Sequence, residues 1–187
     1  PRRVYQWHKE GFDLPAGALT DGVNAVELLF DRTYSAGEAK AAGLLPAVNV
    51  LAESAGLEAG NYGHIWLDGE EISPGSRGYN LAIIDAASGQ VRAAAGFDTH
   101  ADPAASPALI DFLAQLSERD ILAVAVKDTA GDQLSAEAAA ALARLGLSDL
   151  RGQLRASQAA LVWPDSPASA IEHVDPVAAV SVGVGAG

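Results

Sequence analysis

Three charged residues stand where a folded chain usually displays its binding groups. Arg77 precedes the apolar run 79–84, Asp128 follows the run 121–126, and Arg155 comes shortly before the run 159–163. Strand ends open onto loops, and loops held by a rigid scaffold are where recognition residues concentrate. Guanidinium and carboxylate groups engage hydroxyls and amides through directed hydrogen bonds. The same three residues also read as solvated surface charge. Their positions alone leave both readings open.

Other combinations fail on spacing. His8, His64, His100 and His173 are dispersed, without the one-turn separation that puts two ligands on one helix face. His100 lies near Asp98 and Asp102, a set that serves a metal only if the fold closes it, and a hydrogen-bonded or exposed histidine is the simpler reading. Glu70 and Glu71 point to opposite sides if extended, which makes them a poor acid/base couple. Pro74-Gly75-Ser76-Arg77-Gly78 lacks the glycine two residues before serine that a nucleophile elbow needs, and a strand pattern follows it rather than a helix. The glycine-rich stretch 183–187 lacks the helix start that makes such a loop hold phosphate. No cysteine is present, so there is no disulfide, thiolate ligand or thiol nucleophile. The expectation is a non-enzymatic chain with no cofactor and no metal.

Composition narrows the partners. The 187 residues hold 24 acidic and 12 basic side chains, for a formal charge of −12. The only lysines are Lys9, Lys40 and Lys127, and the arginines are scattered. Nucleic-acid binding needs a clustered cationic footprint, so nucleic acid and anionic membrane are excluded as partners. The acidity serves solubility. No apolar run approaches the roughly 20 residues a spanning helix requires, which predicts no membrane insertion by this segment. The start at Pro1 is read as a segment of a longer protein, and the alanine-rich, lysine-poor composition as bacterial.

Punctuation divides the chain into 1–59, an N-terminal extension packed as extra strands, and 60–187, the main domain. In the first part, Val4 to Trp7, Ala25 to Phe30 and Val48 to Leu51 are strand candidates, and 36–43 is a loop or short helix. His64 to Leu67 then runs into Asp68-Gly69, a tight-turn pair. Tyr79 to Asp85 is apolar and β-branched like a central strand, and Ser88-Gly89 turns it into Gln90 to Ala93. Ser106-Pro107 predicts a capped helix start, followed by Leu109, Ile110, Phe112, Leu113 and Leu116 at helical spacing. Ile121 to Val126 reads as a buried strand, and Ser135 as the cap of a second helix whose inner face is Ala138, Leu142 and Leu145. Ala159 to Trp163 and Val177 to Val184 close the list; Trp7, Trp66 and Trp163 are candidates for an exposed partner surface, with a core position the simpler reading for Trp66.

The ordered set Arg77 to Asp85, Gly89-Gln90-Val91, Phe97-Asp98-Thr99, Phe112-Leu113, Ile121 to Asp128, Leu142 to Gly146 and Arg155 resembles the interleukin-like EMT inducer (ILEI/PANDER) family. Within that family the chain looks most similar to the stem domain of protein O-mannose β-1,2-N-acetylglucosaminyltransferase, through its strand–Asp-Gly turn and Val-Lys-Asp step. The resemblance implies an α+β fold, with two antiparallel β-sheets packed as a sandwich and flanked by short helices. It implies a non-catalytic module that binds a glycan or glycoprotein, with Arg77, Asp128 and Arg155 at the positions of the sugar-binding arginine, aspartate and second arginine. It also implies an extracytoplasmic or secreted setting within a longer chain. The alternative is a protein-interaction or structural module on the same fold, contacting another protein or an attached domain. Arg155-Ala156-Ser157-Gln158 departs from the family's Arg-Asp-x-Trp, and the disulfides of secreted animal members are missing.

Overall fold

The computed structural model describes residues 48–165, 167 and 170–185. The strand and helix candidates before residue 48, Trp7 among them, lie outside these. The described chain forms β1 (Val50–Gly56), β2 (Tyr62–Leu67), β3 (Glu70–Glu71), β4 (Gly78–Asp85) and β5 (Val91–Phe97). Helix α1 (Ala105–Leu113), β6 (Asp120–Asp128), helix α2 (Ala136–Arg144), β7 (Ser157–Val162), β8 (Ile171–Asp175) and β9 (Val180–Val184) complete it.

β4 and β6 are the spine. They pair antiparallel from Gly78↔Lys127 to Asp85↔Asp120, and alternate side chains leave on opposite faces. Tyr79, Leu81, Ile83, Leu122, Val124 and Val126 pack with α1 and α2 residues such as Leu109, Phe112 and Leu142. Ala82, Ile84, Ile121, Ala123 and Ala125 pack instead with Val50, Ala52, Ile65 and the valines of β9. Burial on both faces explains why these strands read as unbroken apolar runs rather than alternating ones.

The expectation of two separate antiparallel sheets gives way to one continuous mixed sheet. Its order is β3-β2-β1-β6-β4-β5, with β7 on β6, β8 on β7 and β9 on β1. One edge of β6 bonds β4. The other bonds β7 at Leu122–Ala125 and then β1 in parallel at Ala55↔Lys127 and Gly56↔Asp128. Serines close the seam between the two partners. The Ser54 hydroxyl donates to the Val126 carbonyl and accepts the Gln158 N–H at 2.9 Å, while Ser157 Oγ accepts the Gly56 N–H at 2.9 Å. The expected boundary at 59/60 falls in the turn between β1 and β2, and β1 lies inside the sheet path.

Local signals held where the cause was local. Asp68 (φ 49°) and Gly69 (φ 88°) both take positive φ, as the tight β2–β3 turn requires. Ser135 caps α2 by accepting the Ala138 N–H at 3.2 Å. Ser106 departs from expectation. α1 begins two residues earlier, with Ala104 at its N-cap and no side-chain cap, and the buried Ser106 hydroxyl instead donates to Gln133 O (2.8 Å) and accepts the Ser135 N–H (2.9 Å). It ties the starts of the two helices together. Trp66 also departs, because its ring lies half-buried on the outer face of β2 with Nε1 donating to Glu53 Oε2 at 2.8 Å.

Replacing Ser54 by alanine leaves the Val126 carbonyl and the Gln158 N–H buried without that partner. Each such loss costs about 1–3 kcal/mol. Urea unfolding of Ser54→Ala should show a loss in at least that range, and a change below about 0.5 kcal/mol contradicts the seam assignment.

Candidate functional site

Strand register carries the three charged residues to one end of the sheet. Gly78 pairs with Lys127, so Arg77 lies beside Asp128 at the end of the β4–β6 ladder. Gly56 pairs with Asp128 from the other edge of β6. A Cβ on Gly56 would fall 1.8 Å from the Arg155 carbonyl oxygen, and the Arg155 N–H donates to Thr129 Oγ1 at 3.2 Å. Arg77, Asp128 and Arg155 therefore share one rim, although 78 residues of sequence separate the first from the last.

The rim backbone is held in unusual conformations. Asp128 (φ 65°) and Arg155 (φ 59°) both occupy the left-handed region. Aspartate tolerates that region through local hydrogen bonding, whereas arginine has no such compensation. Such conformations persist only where surroundings over-determine them. Here the Thr129 bond and the close Gly56 backbone do so.

Each arginine has an acid partner. Arg77 donates from Nε to Asp98 Oδ1 (3.0 Å) and from Nη2 to Asp98 Oδ2 (2.7 Å), a side-on bidentate pair. Arg155 reaches Glu58 in the β1–β2 turn through Nη1 alone. The bond to Asp98 raises the Arg77 pKa, and the nearby Asp128 charge adds to this. The Asp98 carboxyl is held below its usual value, chiefly by the Arg77 hydrogen bond and further by the Ala101 N–H.

Buried groups fix the approach to Arg77. Asn80, fully buried, accepts the Ser76 N–H at 2.8 Å and donates to the Ser76 carbonyl at 2.7 Å. Lys127 Nζ donates to the Gly75 carbonyl at 3.1 Å. Asp98, Asn80, Glu58 and Gly56 escaped the sequence reading as rim residues. Their partners lie 4 to 101 positions away, and the family strings Arg77 to Asp85 and Phe97-Asp98-Thr99 held two of them without marking them as rim residues.

The remaining polar candidates go elsewhere. His100 Nδ1 pairs with Asp132, and among the described residues no group of three histidine, aspartate or glutamate side chains gathers as a metal site. Among the described residues no helix is long and apolar enough to cross a membrane.

These features define a mostly β domain with an open mixed sheet, two short helices and a charged rim at one strand end. Residues 77–163 match the family model described as Interleukin-like EMT inducer, and this part of the chain belongs to that family. The match starts at Arg77 and spans β4 to β7, so it contains all three rim residues. No curated protein matches the chain. The family is not a known catalytic one.

The Arg77–Asp98 pair makes stability pH-dependent. Because the folded-state carboxyl is depressed, its contribution is present above the ordinary carboxylate pKa of about 3.9 and is lost as pH falls through the lower folded value. Urea midpoints of wild type and Asp98→Asn should differ at pH 6 and converge toward pH 2. A gap that stays constant or widens on acidification contradicts this.

Proposed function

We propose that this chain is a non-catalytic glycan-binding module of a longer extracytoplasmic or membrane-attached protein, with Arg77, Asp128 and Arg155 as its contacts. The supporting observation is that strand register and close backbone contact bring the chain positions of two arginines and an aspartate to one end of the sheet. The resemblance to the acetylglucosaminyltransferase stem domain, which binds β-linked N-acetylglucosamine, supports the same reading. Hydroxyls and an N-acetyl amide offer the donors and acceptors that such groups take.

Hydrogen bonds to charged groups contribute about 1.5–3 kcal/mol each before rigid-body and ordering costs. Three of them leave a dissociation constant on the order of millimolar to tens of micromolar, 1 mM being about 4.1 kcal/mol. Binding that weak suits a tethered module that raises local substrate concentration. NMR titration with methyl β-N-acetylglucosaminide should shift resonances near Arg77, Asp128 and Arg155. Each alanine substitution should weaken binding at least tenfold. No shifts at tens of millimolar, across a panel of glycosides, sinks the reading.

A protein-interaction role has its own supporting observation, on the outer face of β1–β3. Tyr62 and His64 stack at 5.1 Å, His64 and Trp66 lie 5.7 Å apart, and Leu51 is 37% exposed beside them. From residue 48 to 76 there is no lysine or arginine, against Glu53, Glu58, Asp68, Glu70 and Glu71. A partly exposed aromatic row with only acidic charges in its stretch of chain suits a protein surface that carries basic side chains. A purified partner retained by Arg155→Ala but released by Trp66→Ala carries this reading. Release by Arg155→Ala alone counts against it.

A further inference from the structure

We propose that Asp98 is a positioning residue for the ligand site: it holds the Arg77 guanidinium in the orientation that meets the ligand. This rests on the glycan-binding reading and deepens it. Asp98 takes two of the five N–H groups of Arg77, one on Nε and one on Nη2, each with its own carboxylate oxygen. Three N–H groups remain, both on Nη1 and one on Nη2. A side-on pair fixes both the plane and the rotation of a guanidinium, which a single contact cannot do.

Asp98 can play this part because its loop is itself fixed. Asp98 Oδ1 accepts the Ala101 N–H at 3.1 Å, and the Asp98 carbonyl accepts the Asp102 N–H at 2.9 Å. The neighbouring Thr99, fully buried, donates from Oγ1 to the Ala130 carbonyl at 2.8 Å, and its own carbonyl accepts the Gln133 N–H at 2.7 Å. The loop that carries Asp98 is thereby anchored two residues beyond Asp128. Gly78 permits the approach from the other side. At φ 84°, a Cβ there would lie 2.2 Å from Phe97 O and 2.9 Å from Thr99 N. Any larger residue pushes the 97–99 segment away from the start of β4 and separates the pair.

Arg155 lacks such support. Its Glu58 partner comes from a turn, makes one contact and has a side chain 62% exposed. The rim therefore has one pre-set arginine and one that a ligand can redirect. Rotamer-rich side chains lose less on binding when already ordered, so the larger penalty for losing an acid partner belongs to Arg77.

The test combines a signature independent of sugar with a double-mutant cycle. The Arg77 Nε–Hε resonance should be sharp and slowly exchanging in wild type and broadened in Asp98→Asn. Affinity for methyl β-N-acetylglucosaminide should fall about tenfold in Asp98→Asn and no more than about twofold in Glu58→Gln. Asp98→Asn added to Arg77→Ala should cause no further loss, whereas added to Arg155→Ala its loss should multiply. A merely structural role would instead weaken both backgrounds alike. If Asp98→Asn unfolds at the titration temperature, Asp98→Glu is used, which keeps the charge but moves the carboxylate by one methylene; the same tenfold loss is expected. Unchanged affinity in a folded Asp98 variant, or an unaltered Arg77 resonance, overturns the inference and leaves glycan binding standing. A wild-type chain that binds no glycoside overturns both.

Discussion

The fold turns on one edge of β6, where the strand changes partner. Over Leu122–Ala125 that edge is bonded to β7, and two residues later it is bonded to β1. Between these stretches the Val126 carbonyl has no strand opposite it, and the Ser54 hydroxyl fills the place while also accepting the Gln158 N–H. Ser157 does the same for the Gly56 N–H. Buried backbone groups must be satisfied somewhere, and here two short hydroxyl side chains do what a ladder cannot. With the short parallel pairing at Ala55 and Gly56, they join β1 to β6 and so make the described strands one sheet.

That partner change also creates the rim. Bringing β1 against β6 for only two residues leaves Gly56, Asp128 and the backbone of Arg155 crowded together at the end of the sheet, with no room for a Cβ at position 56. Asp128 and Arg155 respond with left-handed backbone, which turns the chain away at the end of β6 and before β7. On the other edge Gly78 admits the Phe97–Thr99 segment, and with it the Asp98 carboxylate. Two glycines with nothing to spare around them thus set the spacing of a charged cluster. The family match covers β4 to β7, whereas the strand that shapes the rim from outside, β1, precedes it.

Much of the secondary structure was legible, for local reasons. The runs at β4 and β6 are apolar because both faces are covered, and Asp68-Gly69 and Ser88-Gly89 mark turns because glycine takes positive φ at little cost. Ser135 caps its helix through a bond three residues away. β8 was missed because its residues are half-buried to exposed and show no clean alternation. Ser106 was misread for the opposite reason. A serine before proline looks like a cap, but its hydroxyl is taken by Gln133 and Ser135, partners 27 and 29 residues away. For Trp66 the core is the simpler expectation, because tryptophan is highly buried on average. Its strand puts Ile65 on the buried side, and the two-residue period then forces the indole outward.

By itself, then, the sequence determined which segments extend, where they turn, and the order of charged residues that marks the family, since all of these depend on neighbours within a few positions. Tertiary structure alone decided that the strands join in one mixed sheet, that Arg77, Asp128 and Arg155 share an end of it, and that Asp98 and Glu58 are the counter-charges of the two arginines. Those outcomes depend on strand register and on the absence of a side chain at Gly56 and Gly78, and register is settled by packing between segments that no local pattern relates.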